Sequence, residues 1–291
     1  MMKRWLLRGV MLGALVGPAF SGSTVHAEGA FAAAKRAEAS MLVSGRIVVA
    51  ADGRVHDFTL DHADQLPAPV VHLIGSNVPR WRFQPVLKDG QPVMAQATMN
   101  LRVVATPQRG KDYTLAIRSV HFGRAGEAFG RERIKTVPPR YPPAAIRARV
   151  SGDVYLVIKI DPAGKVEDVM AEQVNLGIAG TDRQMKEMRS MLAKSAIGAA
   201  RDWTFKPLAP GAAPVDRYVR APVSYHLHKF GEPVRSDVGQ WHAYIPGPHE
   251  PVPWFDHAGM LTDSADALPD DGLYRVGPDR GLHLLNAPGG V

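Results

Sequence analysis

An internal repeat is the feature of this sequence that most constrains its fold. The pentapeptide Trp-Arg-Phe-Gln-Pro at 81–85 recurs as Trp-Thr-Phe-Lys-Pro at 203–207. Upstream of each, a second pair of similar stretches occurs, at 49–55 and 160–166, and both contain an Asp and a Gly followed by a basic residue and Val. Similar stretches in the same order predict two copies of one supersecondary unit.

The sequence pattern of each copy predicts a small α+β unit, in which an antiparallel sheet packs on one or two helices. In the second copy, Val154 to Ile160 alternates like a strand with one apolar face, and Asp161 to Gly164 supplies turn residues for a hairpin. Apolar residues at helical spacing predict a helix over 182–200, capped by Thr181 or Asp182. A last strand is predicted from Tyr218 to His228.

The first copy has the same order with a shorter middle. We expect a hairpin over 43–61, a short helix near 69–77 and a strand over 93–105. The domain prediction is therefore a degenerate unit at 41–105, a linker at 106–139, a complete unit at 140–230 and a C-terminal extension at 231–291.

The second unit resembles the C-terminal domain of TonB, the periplasmic end of an energy-transducing protein. The resemblance rests on an ordered set of short motifs: Tyr141-Pro142, Ala145, Gly152, Ile160-Asp161, Gly164-Lys165-Val166, Ala196 to Ala200, and Trp203 to Pro207. The match covers about a third of the chain, and the copy at 41–105 lacks the Tyr-Pro entry.

The resemblance implies that an exposed sheet edge captures an extended peptide, the periplasmic segment of an outer-membrane receptor, as an added strand. Such binding depends on main-chain hydrogen bonds and requires a free edge. The predicted edge is the last strand, with candidate contacts Arg217, Tyr218, Arg220, Val223, Tyr225, His226 and His228. The alternative is that these charges only protect an edge strand from aggregation. Dimerisation through exposed edges also remains open.

A second group of residues is predicted to build the two cores rather than to bind. Large aromatic side chains beside an amphipathic helix usually close that helix onto its sheet. The predicted structural residues are Tyr141, Gly152, Trp203, Phe205, Pro207, Trp81, Phe83 and Pro85.

The first 27 residues predict a cleaved signal peptide and a periplasmic protein. Lys3, Arg4 and Arg8 precede a short apolar run that contains helix breakers, and small residues around Ala27 suit a signal peptidase. Cleavage there lowers the formal net charge from +7 to +4, and no dense basic stripe predicts nucleic-acid binding. Without an anchor or a long Pro-rich spacer, the chain departs from TonB. The alternative is a true energy transducer that keeps its N-terminal anchor.

Motifs for chemistry are scarce in this sequence. The chain has no Cys, which excludes cysteine nucleophiles and cysteine-based metal sites. It carries no nucleophile elbow, zinc-protease motif or phosphate-binding loop, so we predict no enzyme activity and no cofactor. His226 and His228 alternate on a strand, a spacing that can bind metal. A His-based metal-handling or hydrolytic protein is the alternative function.

The C-terminal extension contains too many aromatic residues for an inert linker. We expect a hairpin between 274–276 and 282–285, and a mostly irregular segment that packs over one of the units. One variant is that the extension occupies the free edge as an internal mimic of the partner, which would make it self-inhibitory.

Overall fold

The protein is described by a computed structural model over residues 38–108, 112–124, 133–135, 137–212, 217–227, 238–254, 264–270, 272–275 and 282–286. Within these ranges, no helix has both the length and the apolar composition that crossing a membrane requires. The predicted signal peptide at 1–27 lies outside the described residues.

The first unit is a twisted antiparallel sheet with one helix on it. Its elements are β1 (Glu38–Val49), β2 (Val55–Leu60), α1 (Ala68–Asn77), the short hairpin β3 (Val86–Lys88) and β4 (Gln91–Val93), β5 (Ala95–Pro107) and β6 (Tyr113–Arg124). Strand β5 lies between β1 and β6, and the C-terminal half of β1 also pairs with β2. Alternate residues of β1 and β5 face α1 and form the core of this unit.

Strand β6 differs from the prediction of a linker at 106–139. It pairs with β5 from Ala97 to Pro107, and its Phe122 packs edge-on against Trp81 and Phe83. A β-bulge after Arg102 shifts the register, so that the inward positions change from Leu115 and Ile117 to Val120 and Phe122. The bulge breaks the period of two, which hides this strand from pattern analysis.

The second unit repeats this arrangement with a longer hairpin and a longer helix. Its elements are α2 (Pro143–Arg147), β8 (Gly152–Ile160), β9 (Val166–Leu176), α3 (Asp182–Ala200), β10 (Thr204–Phe205) and β11 (Tyr218–Tyr225), preceded by β7 (Arg133–Lys135), which pairs with β10. Strand β8 lies between β9 and β11. The predicted α+β fold with antiparallel sheets is confirmed.

Helix α3 has the bounds that its sequence predicts. Thr181 forms a capping box with Gln184, in which the Thr hydroxyl accepts from the Gln184 amide and the Gln side chain accepts from the Thr181 amide. Met185, Leu192 and Ala196 are buried against the sheet, as their spacing requires.

The hairpin turns of the two units make equivalent contacts. Gly53 and Gly164 have φ values of +80° and +84°. Each accepts a backbone hydrogen bond of 2.8 Å, from Phe83 and Phe205 respectively. A Cβ on either glycine would meet the carbonyl oxygen of that phenylalanine at 2.1 Å, so only glycine fits both the angle and the space.

The pentapeptides supply both cores through their aromatic residues. Trp81, Phe83, Trp203 and Phe205 are all buried. Gly152 opens β8 and is buried as well. Pro85 and Pro207, predicted as core residues, are instead exposed, because each follows the buried phenylalanine at the point where the chain returns to the surface.

The C-terminal extension packs against both units instead of over one. Its strand β12 (His242–Tyr244) pairs with the N-terminal half of β1, and the following Ile245 bridges Leu176 of β9. The single turn Ala265–Ala267 is buried and contacts β5, β6 and β9. The extension therefore connects the two sheets.

Among the described residues, the two halves of the hairpin predicted within the extension do not pair with each other. Strand β13 (Tyr274–Arg275) pairs with β11, whereas Leu284 bridges Phe83 of the first unit. The backbone around Leu284 also bonds Arg82 and Gln84. Each half of the expected hairpin therefore finds its hydrogen bonds in a different unit.

A buried arginine joins the units at their centre. Arg102 of β5 donates to the Tyr155 hydroxyl of β8 at 3.1 Å, to Ser40 at 3.0 Å and to the backbone oxygen of Asp266 at 2.5 Å. The Tyr244 hydroxyl donates to the Asp266 carboxylate at 2.5 Å. Burial and then the Asp266 charge raise the pKa of Tyr244 far above its usual value. This network holds both sheets and the extension in one arrangement.

Candidate functional site

The outer edge of β11 is the candidate binding site. Strand β11 pairs with β8 over its whole length on one side. On the other side it pairs with β13 only at Val219 and Arg220, and the described part of the chain adds no further strand there. Pro222 has no N–H to donate, and a proline inside a strand is typical of an edge.

A shallow groove of about 180 Å³ runs beside the unpaired half of β11. It is lined by Ala221 to Tyr225, by Pro138 and Pro139 before the second unit, and by Gly272 and Leu273 of the extension. Trp203 forms part of its wall, and the indole N–H donates to the Val137 oxygen at 2.8 Å. The groove is therefore bounded by backbone and apolar side chains, which suits an extended chain.

The side chains predicted to contact a peptide have other partners. Arg217 donates to the Ile160 oxygen at 3.0 Å and forms an ion pair with Glu167. Lys159, which also hydrogen-bonds that carboxylate, and then Arg217 lower the pKa of Glu167. Tyr218 stacks on Trp254 of the extension, with ring centroids 5.7 Å apart.

The side chain of Arg220 is buried on one face of the sheet and is not exposed along the edge of β11. Its side chain is 4% exposed, and its guanidinium lies 2.7 Å from the carboxylate of Glu172, whose side chain is fully buried on β9. His249 of the extension approaches the same carboxylate at 3.6 Å. Hydrogen bonding to Glu172 raises the pKa of His249. Arg220 therefore links β11 to β9 and the extension.

The remaining predicted contacts divide between core and interface. Val223 and Tyr225 point into the core of the second unit, where Tyr225 packs edge-on against Tyr141. The Tyr141 hydroxyl donates to the backbone oxygen of Val150. His226 lies 3.3 Å from Asp153 at the boundary between the units. His228 lies outside the described residues.

The sequence allows the extension to occupy the free edge, but it does not identify Tyr274 and Arg275 as the residues that pair there. A strand of two residues carries no periodic pattern, so β13 gives no local signal of its partner. What the structure brings together at the β11 edge is backbone from three distant segments: 138–139, 221–225 and 272–275.

Comparison with known proteins finds likeness to one group. The chain is 34% identical over 91 residues to Protein TonB from two strains of Xanthomonas campestris pv. campestris, which covers 31% of this chain. It contains a TonB C-terminal-like domain. The chain spans about a third (35%) of the length of these curated relatives. No family model and no solved structure matches.

The motifs on which the TonB resemblance rests all have structural roles in the second unit. Gly164 makes the hairpin turn, Trp203 and Phe205 fill the core, and Tyr141 closes the end of the sheet. None of them forms a cluster of reactive groups.

Proposed function

We propose that the protein is a periplasmic protein-binding module in which the outer edge of β11 captures an extended segment of a partner protein. The partner would be the periplasmic segment of an outer-membrane receptor, in a role linked to TonB-dependent transport. The likeness of the domain to TonB supports this proposal. Strand addition needs an accessible edge, because its affinity comes mainly from backbone hydrogen bonds.

One observation carries the proposal: β11 is paired on its outer side only at Val219 and Arg220. The corresponding strand of the first unit, β5, is covered along its length by β6. The outer side of β11 is therefore only partly paired, whereas that of β5 is paired along most of its length. Because a backbone edge needs no dedicated side chains, the proposal is consistent with the inward positions of Arg220, Val223 and Tyr225.

Strand β13 occupies the place that a partner would take. We therefore propose that partner binding displaces β13, which makes the extension self-inhibitory. Deleting everything after Phe230 is too coarse a test, because it also removes Tyr244, Ile245 and Leu268 from the interior. Arg275→Pro is a narrower test that acts within β13, since proline removes a backbone donor and fixes φ. Arg275→Ala is the matched control.

The experiment is a titration of the isotope-labelled chain with a peptide from the periplasmic segment of a TonB-dependent receptor. We expect amide shifts at 218–225 and at β13, and about tenfold tighter binding by Arg275→Pro than by Arg275→Ala, because a competing closed state is removed. Binding that leaves the amides of 218–225 unchanged would refute the edge as the docking site.

A further inference from the structure

The contact between the two units encloses a polar cavity that peptide docking does not use. The cavity has a volume of about 340 Å³ and lies between the start of β1 and the start of β8. Both sheets and the extension line it, including Arg102, Asp153, His226, His242 and Asp270.

Three of these side chains converge from separate parts of the chain. Asp153 is the second residue of β8, His226 follows β11 directly, and Asp270 belongs to the extension. One carboxylate oxygen from each Asp and one imidazole nitrogen lie within 4.8 Å of one another. His242 stands beside them, with its ring centroid 6.3 Å from that of His226.

The cluster is acidic, with two carboxylates for one imidazole. Asp153 Oδ1 is buried and faces His226 Nε2 at 3.3 Å, a pair that is ionic only when the imidazole is protonated. The nearby Arg102 directs its donors to Ser40, Tyr155 and the Asp266 backbone.

We propose that Asp153, His226 and Asp270 form a binding site for a divalent transition-metal ion of the Zn²⁺ type. An imidazole with two carboxylates is a ligand set that suits Zn²⁺, whereas Ca²⁺ requires six to eight oxygen ligands. Three protein ligands leave a fourth position of a tetrahedral ion open, and His242 or water can fill it from the cavity.

The ion would fasten the extension to the TonB-like domain. Asp270 lies only four residues before β13, so an ion shared with Asp153 and His226 restrains the segment that leads to the β11 edge. This consequence rests on the proposed function. The metal site itself stands on the three ligands alone.

The test is a zinc titration of the metal-free full chain in competition with a chromophoric chelator. We expect one tight equivalent of Zn²⁺ for the natural chain, and at least tenfold weaker binding for Asp270→Asn and for His226→Gln. Glu250→Gln is the matched control, since it removes an exposed carboxylate elsewhere in the extension. Weaker sites at the other histidines occur in every variant and cancel in the comparison. Ca²⁺ is expected not to compete.

Equal zinc affinity of Asp270→Asn and Glu250→Gln would overturn the proposal. Thermal unfolding in the presence of a chelator checks the fold of each variant, and adding Zn²⁺ should raise the Tm of the natural chain but not that of Asp270→Asn. Both measurements omit the peptide, so their failure leaves docking at the β11 edge unaffected. Conversely, a chain that binds zinc but no receptor peptide would refute only the docking proposal.

Discussion

The two units contain the same elements, but different parts of the chain pair with their strand edges and with their pentapeptides. In the first unit the edge of β5 is covered by the next strand, β6, whereas the pentapeptide backbone at Arg82–Gln84 pairs with the end of the extension. In the second unit the preceding segment β7 pairs with the pentapeptide, and the extension reaches the edge of β11. The duplicated unit therefore has two backbone surfaces that accept an added strand.

The two copies differ in how much of this edge is covered. Strand β6 pairs with eleven residues of β5, whereas β13 pairs with two residues of β11. The β5–β6 ladder has eleven residue pairs, and Phe122 of β6 belongs to the core of the first unit. A pairing of only two residues opens more easily, so another strand can replace it. Under the proposed function, the first unit is a support, and the second retains the edge that a partner uses.

The largest expected effect concerns an ion pair found in the second unit. Glu172→Gln leaves the buried Arg220 without its countercharge, so we expect the free energy of unfolding to fall by about 3–5 kcal/mol. Urea unfolding measures the change. Replacing both partners, as Glu172→Leu with Arg220→Met, should recover much of the loss. A loss below about 1 kcal/mol in the single variant would mean that the pair does not hold β11 to β9.

The turn glycines test whether the two units are true structural duplicates. Gly53→Ala and Gly164→Ala each force a side chain into a left-handed conformation and against a carbonyl oxygen, so each should lose about 2–3 kcal/mol of stability. The matched controls are Gly75→Ala and Gly198→Ala, which lie in helices with open space around the new Cβ. Those variants should be neutral or more stable by up to about 1 kcal/mol. A clear difference between the two turn variants would break the equivalence of the units.

The smallest effect is a pH dependence at the contact between the second unit and the extension. Because Glu172 raises the pKa of His249, protonated His249 stabilises the folded chain. This contribution is complete below the unfolded pKa of about 6.5 and is lost as the pH rises through the raised folded value. Since His249 is half exposed, the change should stay below about 1 kcal/mol. As the pH rises through this range, the urea midpoint should fall more for the natural chain than for His249→Gln. Parallel curves of urea midpoint against pH for the two proteins would exclude the contact.

Local signals in the sequence predict much of each unit but not how the units are completed. The helix at 182–200 and the Gly53 and Gly164 turns are set by spacing and capping within a few residues, and the structure has them at those positions. Strand β6 has no counterpart in the repeat, and its bulge hides the alternation. The pairing of β13 with β11 joins residues more than fifty positions apart, for which local propensity carries no information.

The predicted binding side chains show the same limit. The alternation of apolar and polar residues correctly predicts a strand. It does not show which face of that strand packs against another part of the protein. Arg220 is polar and was assigned to a surface, yet the extension covers that face and Glu172 lies beneath it. Only the tertiary arrangement determines that the accessible feature is backbone.

Hydrogen–deuterium exchange of β5 and β11 tests the central claim most directly. The measurement compares Arg275→Pro with Arg275→Ala, each with and without an excess of a peptide that reproduces residues 268–280. We predict that the proline variant exchanges faster at Val219 and Arg220, that the peptide restores protection there, and that β5 is unaffected in every sample. If the peptide protects β5 as much as β11, or protects neither strand, the β11 edge is not the docking surface.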